Sequence, residues 1–162
     1  MTLYDVAVVG ATGLVGRKIL QILEERNFPV DRVIPIASAK SLGMMIPFKE
    51  QQRAVVELDE TAFVHAEIVF FAAGGEVSRK WAPIAARHCE IVIDNSSEFR
   101  MDPHVPLVVP EVNPRAIFTY KQKIVANPNC SPIQMVLPPK PLRDAYRFVG
   151  STSHVIGGVH GR

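Results

Sequence analysis

Asn127-Pro128-Asn129-Cys130-Ser131 puts a thiol among small, polar, turn-forming residues. Lys123-Ile124-Val125-Ala126 reads as a short strand, and Pro128 stops it. Proline removes a ladder donor and pushes the residue before it into extended geometry. Apolar residues return at Ile133, Met135, Val136 and Leu137, so Cys130 is expected at the start of a helix. Free N–H groups at such a terminus favour thiolate over thiol. A thiolate is a nucleophile, which makes Cys130 the candidate for covalent catalysis; the plainer alternative is a cysteine buried as a small hydrophobe. Cys89, directly ahead of a strand, is read in that plainer way.

A second chemistry is offered at the amino terminus. Gly10-Ala11-Thr12-Gly13-Leu14-Val15-Gly16 lies between an apolar run, residues 4–9, and a helical pattern with Val15, Ile19, Ile22 and Leu23 on one face. Strand, glycine turn and helix in this order suit a dinucleotide phosphate, although the G-x-x-G-x-x-G spacing departs from the commonest fingerprint. Beyond the next strand, Val33-Ile34-Pro35-Ile36-Ala37, a ribose-binding acid would mark an NAD site. The chain has Ser38-Ala39-Lys40-Ser41 instead, one cation and hydroxyls, which suits the extra phosphate of NADP. A third candidate is Arg100, in the polar run Asn95-Ser96-Ser97-Glu98-Phe99-Arg100. Its planar fork could clamp a phosphate or carboxylate, or simply pair with Glu98 or Asp102.

The elements that must position these residues read as an α/β, Rossmann-like domain with a mostly parallel sheet. Residues 67–72 and 90–94 form further apolar strands, and the helix between them carries Val77, Trp81, Ile84 and Ala85 on one stripe. Trp81 is therefore expected in the core. Pro35 argues for an irregular or edge position, residues 53–58 for one added strand, and the prolines between 103 and 114 for an extended passage. The expected division is a dinucleotide-binding domain over residues 1–130. Residues 131–162 then hold the nucleophile helix and the opening of a second domain, with Pro138-Pro139 ending the helix early.

The ordered motifs Gly-Ala-Thr-Gly-Leu-Val-Gly at 10–16, Ile-Asp-Asn-Ser-Ser-Glu-Phe-Arg-Met at 93–101, Leu-Val-Val-Pro-Glu-Val-Asn-Pro at 107–114 and Ala-Asn-Pro-Asn-Cys-Ser at 126–131 resemble aspartate-semialdehyde dehydrogenase. The resemblance implies NADP-dependent reductive dephosphorylation of aspartyl phosphate to aspartate semialdehyde through a cysteine thioester, on the route to lysine, threonine and methionine. Cys130 would be the nucleophile. Arg100, assisted by Asn95, would bind the phosphate, and Asn129 would orient the acyl group. Gly10, Thr12, Gly13, Leu14 and Val15 would hold the cofactor pyrophosphate. Ser38, Lys40 and Ser41 would meet its 2′-phosphate, and Ala73 and Gly74 would lie near the nicotinamide. Lys40 stands where many relatives carry arginine, keeping charge but losing the bidentate fork. A reductase acting on N-acetyl-glutamyl phosphate shares the thioester chemistry, but the runs at 94–101 and 110–114 fit the aspartate enzyme better.

The resemblance also implies a second α+β domain carrying an acid/base histidine, a substrate-binding arginine and most of a homodimer interface. This chain reaches only its opening, so a non-catalytic, nucleotide-binding truncated paralogue is the remaining alternative. At 151–154 the chain has Ser-Thr-Ser-His, with His154 where a substrate-positioning glutamine is expected; His154 and His160 are read as solvated residues. Composition fits a globular protein, with 48% hydrophobic residues and a net charge of +2 from 18 basic and 16 acidic side chains. That balance leaves no nucleic-acid or membrane footprint. The longest apolar runs are of strand length and the start lacks a basic signal region, so neither a span nor a leader is expected. Two cysteines, one of them a candidate nucleophile, suit a reducing cytoplasm, and no metal site is expected. Apolar faces left open by an absent second domain are expected to make the chain self-associate.

Overall fold

Short apolar runs form strands that can be buried on both faces, and here five of them pair in parallel, with the exposed residues 56–57 added at one edge. The computed structural model describes residues 2–119 and 122–146. The chain runs β1 (Tyr4–Val9), α1 (Leu14–Glu25), β2 (Val30–Ala37), β3 (Met45–Phe48), β4 (Gln51–Ala54), β5 (Val56–Glu57), β6 (Ile68–Phe71), α2 (Gly75–His88), β7 (Ile91–Asp94), β8 (Ile124–Ala126), α3 (Cys130–Val136) and α4 (Pro139–Ala145). The main sheet has the order β5-β2-β1-β6-β7-β8. All its pairings are parallel. Both faces of β1 are covered: Val6 and Val8 pack with Leu20 and Leu23 of α1 on one side. Ala7 and Val9 pack with Phe63, Phe71, Ala82 and Ala85 on the α2 side. Each such valine buried contributes roughly 1.5–3 kcal/mol.

Helix α1 departs from the expected stripe by about one position. Gly16, Leu20 and Leu23 are its buried residues, while Val15 and Ile22 are exposed. The cause is Gly16, where a Cβ would come within 2.2 Å of the Gly10 carbonyl oxygen. The helix makes its closest approach at a residue that contributes nothing to apolar periodicity. On α2 the buried residues are likewise small, Ser78, Ala82 and Ala85. Val77, Trp81 and Ile84 flank them, half-buried against the core. Trp81 packs against Phe63 with ring centroids 6.4 Å apart, as its expected core role requires.

The region after β2 corrects one expectation. Residues 53–58 do not form one strand: β4 closes an antiparallel hairpin with β3, and β5 adds two residues to the main sheet beside Ile36 and Ala37. Strand β3 went unread because Pro47 interrupts its short alternation, in which only Ile46 and Phe48 are buried. Pro35 stands at a local edge, as expected: β5 lies outside β2 but reaches only Ile36 and Ala37, which leaves β2 one-sided at Pro35.

Past β7 the proline-rich passage is extended around Leu107-Val108-Val109 and turn-rich on either side. It is tied to β8 by Val108 N–H donating to the Ala126 carbonyl (3.0 Å) and Ala126 N–H donating to the Pro106 carbonyl (3.0 Å). Helix α3 ends at Val136, as Pro138-Pro139 requires, and a new short helix starts at Pro139. His154 and His160, with the rest of residues 147–162, lie outside the described residues. Among the described residues no helix is long and apolar enough to cross a membrane.

Candidate active site

The carboxyl ends of parallel strands present unpaired backbone groups, and the chain's candidate residues all emerge there. Successive strands are added on opposite sides of β1, which places a crevice between the ends of β2, β1 and β6. A cleft of about 320 Å³ lies in it, with Gly10, Thr12, Gly13, Ser38, Leu58 and Ala73 among its lining residues. Gly10 adopts φ +84° and a Cβ there would meet the Ala72 carbonyl oxygen at 2.7 Å, so the turn closes against β6 only with glycine. Its N–H donates to the Ile36 carbonyl (2.8 Å), joining the turn to β2. Gly13 precedes α1 without a side-chain cap, and the first turn carries no acid. The N–H groups of that turn therefore meet no capping side chain or acid of their own, and Arg17 Nε donates to the Thr12 carbonyl (3.0 Å) beside them, which fits an anionic pyrophosphate.

The other residues read as cofactor contacts stand near this cleft without lining it. Leu14 and Val15 are exposed on the first turn of α1. Lys40 and Ser41 belong to a single 3₁₀ turn, Ala39–Ser41, that follows Ser38. Gly74, at φ +91°, precedes α2. Ala37, Leu58, Ala72 and Val77 also line the cleft. They carry no polar signal in the sequence, so only the fold brings them there.

A second cluster forms where β7 and β8 end. Arg100 is half-buried, and its Nε donates to the Asn127 carbonyl (2.9 Å) while an Nη donates to the Asn95 carbonyl (3.1 Å). The Asn127 side-chain amide donates to Asn95 Oδ1, closing the same ring of contacts. The expected alternative, pairing of Arg100 with Glu98 or Asp102, does not occur. Glu98 is held by Arg79, and Asp102 Oδ1 accepts the His104 N–H (2.8 Å). Among the described residues no carboxylate lies within ion-pair distance of Arg100.

Cys130 opens α3 three residues beyond Asn127 and is exposed. Its thiol donates to Asn129 Oδ1 (3.1 Å). Cys89 is buried, and desolvation pushes its thiol up to about 11, against a smaller opposing effect of Lys123.

Asp94 was not singled out in the sequence, yet it anchors this cluster. Fully buried, it accepts Ser78 Oγ–H (2.6 Å), Ser96 Oγ–H (2.7 Å) and Ser96 N–H (3.2 Å), so the loop carrying Asn95 and Arg100 is fastened to α2. The Asp-x-Ser spacing is a local turn signal that could have found the Ser96 half of the arrangement. His65, His88 and His104 stay outside it, and among the described residues no group of histidine, cysteine and acidic side chains could hold a metal ion.

A glycine turn and an open helix N-terminus at the switch point of a parallel sheet define a dinucleotide-binding protein of the α/β class. Residues 5–120 match the NAD-binding domain of semialdehyde dehydrogenase. The chain belongs to the semialdehyde dehydrogenase family. It is 51% identical over 144 residues to the aspartate-semialdehyde dehydrogenase of Shewanella violacea, covering 88% of this chain and 43% of that protein. It superposes with a TM-score of 0.86 and 48% identity on a crystal structure of aspartate-semialdehyde dehydrogenase II from Vibrio cholerae complexed with ASA, covering 89% of this chain and 47% of the other. A structure of the Candida albicans enzyme with NADP matches at 26% identity and a TM-score of 0.74, covering 89% and 48%. The chain thus spans about half the length of the relatives it matches. These likenesses do not favour the N-acetyl-glutamyl phosphate reading.

Proposed function

We propose that the chain supplies the cofactor, phosphate and nucleophile parts of an NADP-dependent reductive dephosphorylation of aspartyl phosphate to aspartate semialdehyde. The observation that carries this reading is that Arg100 Nε donates to the carbonyl of Asn127, three residues ahead of Cys130, whose thiol donates to the Asn129 side chain, at the same carboxyl end of the sheet as the glycine turn. Arg100 offers its remaining N–H groups to the phosphate, aided by Asn95. Asn129 Oδ1 accepts a hydrogen bond from the Cys130 thiol and then holds the acyl group over the sulfur, while the thiol proton passes to the acid/base histidine of the second domain. The thiolate attacks the acyl carbon, the C–O bond to phosphate breaks, and phosphate leaves against Arg100 with a thioester formed on Cys130. NADPH, bound when present along Gly10, Thr12 and Gly13 with its 2′-phosphate toward Ser38, Lys40 and Ser41, supplies the hydride that reduces the acyl carbon. Breaking the C–S bond then frees the semialdehyde and returns the thiolate. Leu14 and Val15 contribute backbone N–H groups to the pyrophosphate, and Ala73 and Gly74 border the nicotinamide.

Residues 1–130 form the dinucleotide-binding domain in this reading, and residues 131–162 open a catalytic and dimerisation domain. The acid/base histidine and the arginine for the substrate carboxylate belong to that second domain. The partners are small molecules and a second copy of the full-length protein, with no nucleic acid or membrane, in the cytoplasm. Phosphate-dependent reduction of NADP with aspartate semialdehyde is the test. NADPH formation that needs phosphate and disappears in Cys130→Ala supports the full reaction. Binding of NADP and phosphate without turnover supports the cofactor and anion sites and assigns the remaining step to the second domain. A folded chain that binds neither overturns the reading.

A further inference from the structure

Arginine that must receive a phosphate dianion has to be kept from nearer carboxylates. Glu98 lies two residues from Arg100 on the same loop, which separates their Cα atoms by at most about 7 Å. Both side chains are long enough to pair across that gap. They do not, because Glu98 is taken from the other side. Arg79, one residue along α2 from the Ser78 that anchors Asp94, grips Glu98 with two parallel bonds, Nε to Oε1 at 2.6 Å and Nη2 to Oε2 at 2.8 Å. The loop is also fixed at the backbone, since Glu98 N–H donates to Ser96 Oγ (3.1 Å) and Ser96 Oγ–H donates to Asp94.

We infer that Arg79 is a positioning residue, whose pairing with Glu98 keeps the Arg100 guanidinium free of a carboxylate and open to phosphate. This rests on the reading of Arg100 as the anion-binding group. The two-bond Arg–carboxylate geometry matters here for direction more than for strength. Arg79 is 69% exposed and the pair adds little to folding. Its consequence is electrostatic: one Asp102 oxygen is tied to the His104 N–H, whereas Arg79 is the side-chain partner of both Glu98 oxygens, and its removal leaves a carboxylate two residues from Arg100 with its charge uncompensated.

The experiment is a double-mutant cycle on the purified chain, read as inorganic phosphate affinity and as the Nε–H resonance of Arg100. Arg79→Ala is expected to weaken phosphate binding about three- to fivefold, the size of a partly exposed ion pair formed in competition. It is also expected to shift the Arg100 resonance. Arg79→Ala combined with Glu98→Ala is expected to restore both readouts, which loss of a merely structural contact would not do. Glu98→Ala alone should leave phosphate affinity at least as high as in the parent. An unshifted Arg100 resonance in Arg79→Ala, or a double variant as weak as the single one, overturns the inference. Phosphate affinity that survives Arg100→Ala instead overturns the anion-site reading, and the inference with it.

Discussion

The two cysteines show how environment decides what one side chain can do. Cys130 is exposed beside the amide of Asn129, whereas Cys89 is buried at the carboxyl end of α2 with its thiol raised to about 11. An exposed thiol is available for chemistry, and a buried one whose ionisation is suppressed is not. Burial of Cys89 also links it to stability. Its reference value is 9.0 and its folded value about 11. Between these two values the folded chain holds the proton that the unfolded chain releases, so unfolding free energy falls as pH rises. The contribution is fully present below pH 9 and lost through about pH 11. We expect Cys89→Ala to flatten the decline of stability across that interval by about 2 kcal/mol relative to the parent. Urea denaturation at stepped pH, taken as the difference between variant and parent, checks this. Equal slopes would mean that the Cys89 thiol is not suppressed by its surroundings.

Helix α1 carries its weight through a residue without a side chain. A Cβ at position 16 would stand 2.2 Å from the Gly10 carbonyl oxygen, and this neighbour is backbone that cannot rotate away. Gly16→Ala therefore has to push α1 off β1 and open the turn that lines the cleft. The expected cost is about 2–4 kcal/mol, with at least tenfold weaker NADP binding. Gly43→Ala is the comparison, because a Cβ there meets nothing and only its φ of +76° resists. It should cost about 1 kcal/mol and leave NADP binding alone, as equilibrium unfolding and fluorescence titration would show. The same glycine explains what the sequence could convey. Strands β1, β6, β7 and β8 were readable because parallel strands buried on both faces are apolar without interruption. The contact stripes of α1 and α2 were readable only in part: Leu23 and Ala85 are buried and Val77, Trp81 and Ile84 pack on the core as expected, but close packing also selects Gly16, Ser78 and Ala82, which the apolar pattern overlooks. At the site, Cys130 and Arg100 stood out by residue type and turn context. What holds them did not: Arg100 is fixed by backbone carbonyls that every residue possesses, and Asp94 by a serine 16 positions away.

On the scale of the whole molecule the surface is not evenly polar. Phe118 is 82% exposed, and Leu142 and Tyr146 are exposed on or just after α4. Neither α3 nor the described side chains of α4 include a buried residue, and Val136, Leu137 and Leu142 are exposed. Groups of large exposed apolar side chains mark surfaces that associate. The chain's net charge of +2 offers little repulsion against that association. We therefore expect the weight-average mass in sedimentation equilibrium to rise with concentration. Phe118→Ser and Leu142→Ser remove side chains that fold stability does not depend on, so thermal unfolding should stay put. Burying a side chain of this size at an interface is worth roughly 1.5–3 kcal/mol. The association constant should consequently fall about tenfold or more in whichever variant lies at the contact. The two variants thus separate the face around Phe118 from the α3–α4 face. A mass that stays monomeric at every concentration would mean that the exposed groups are too dispersed to form a contact.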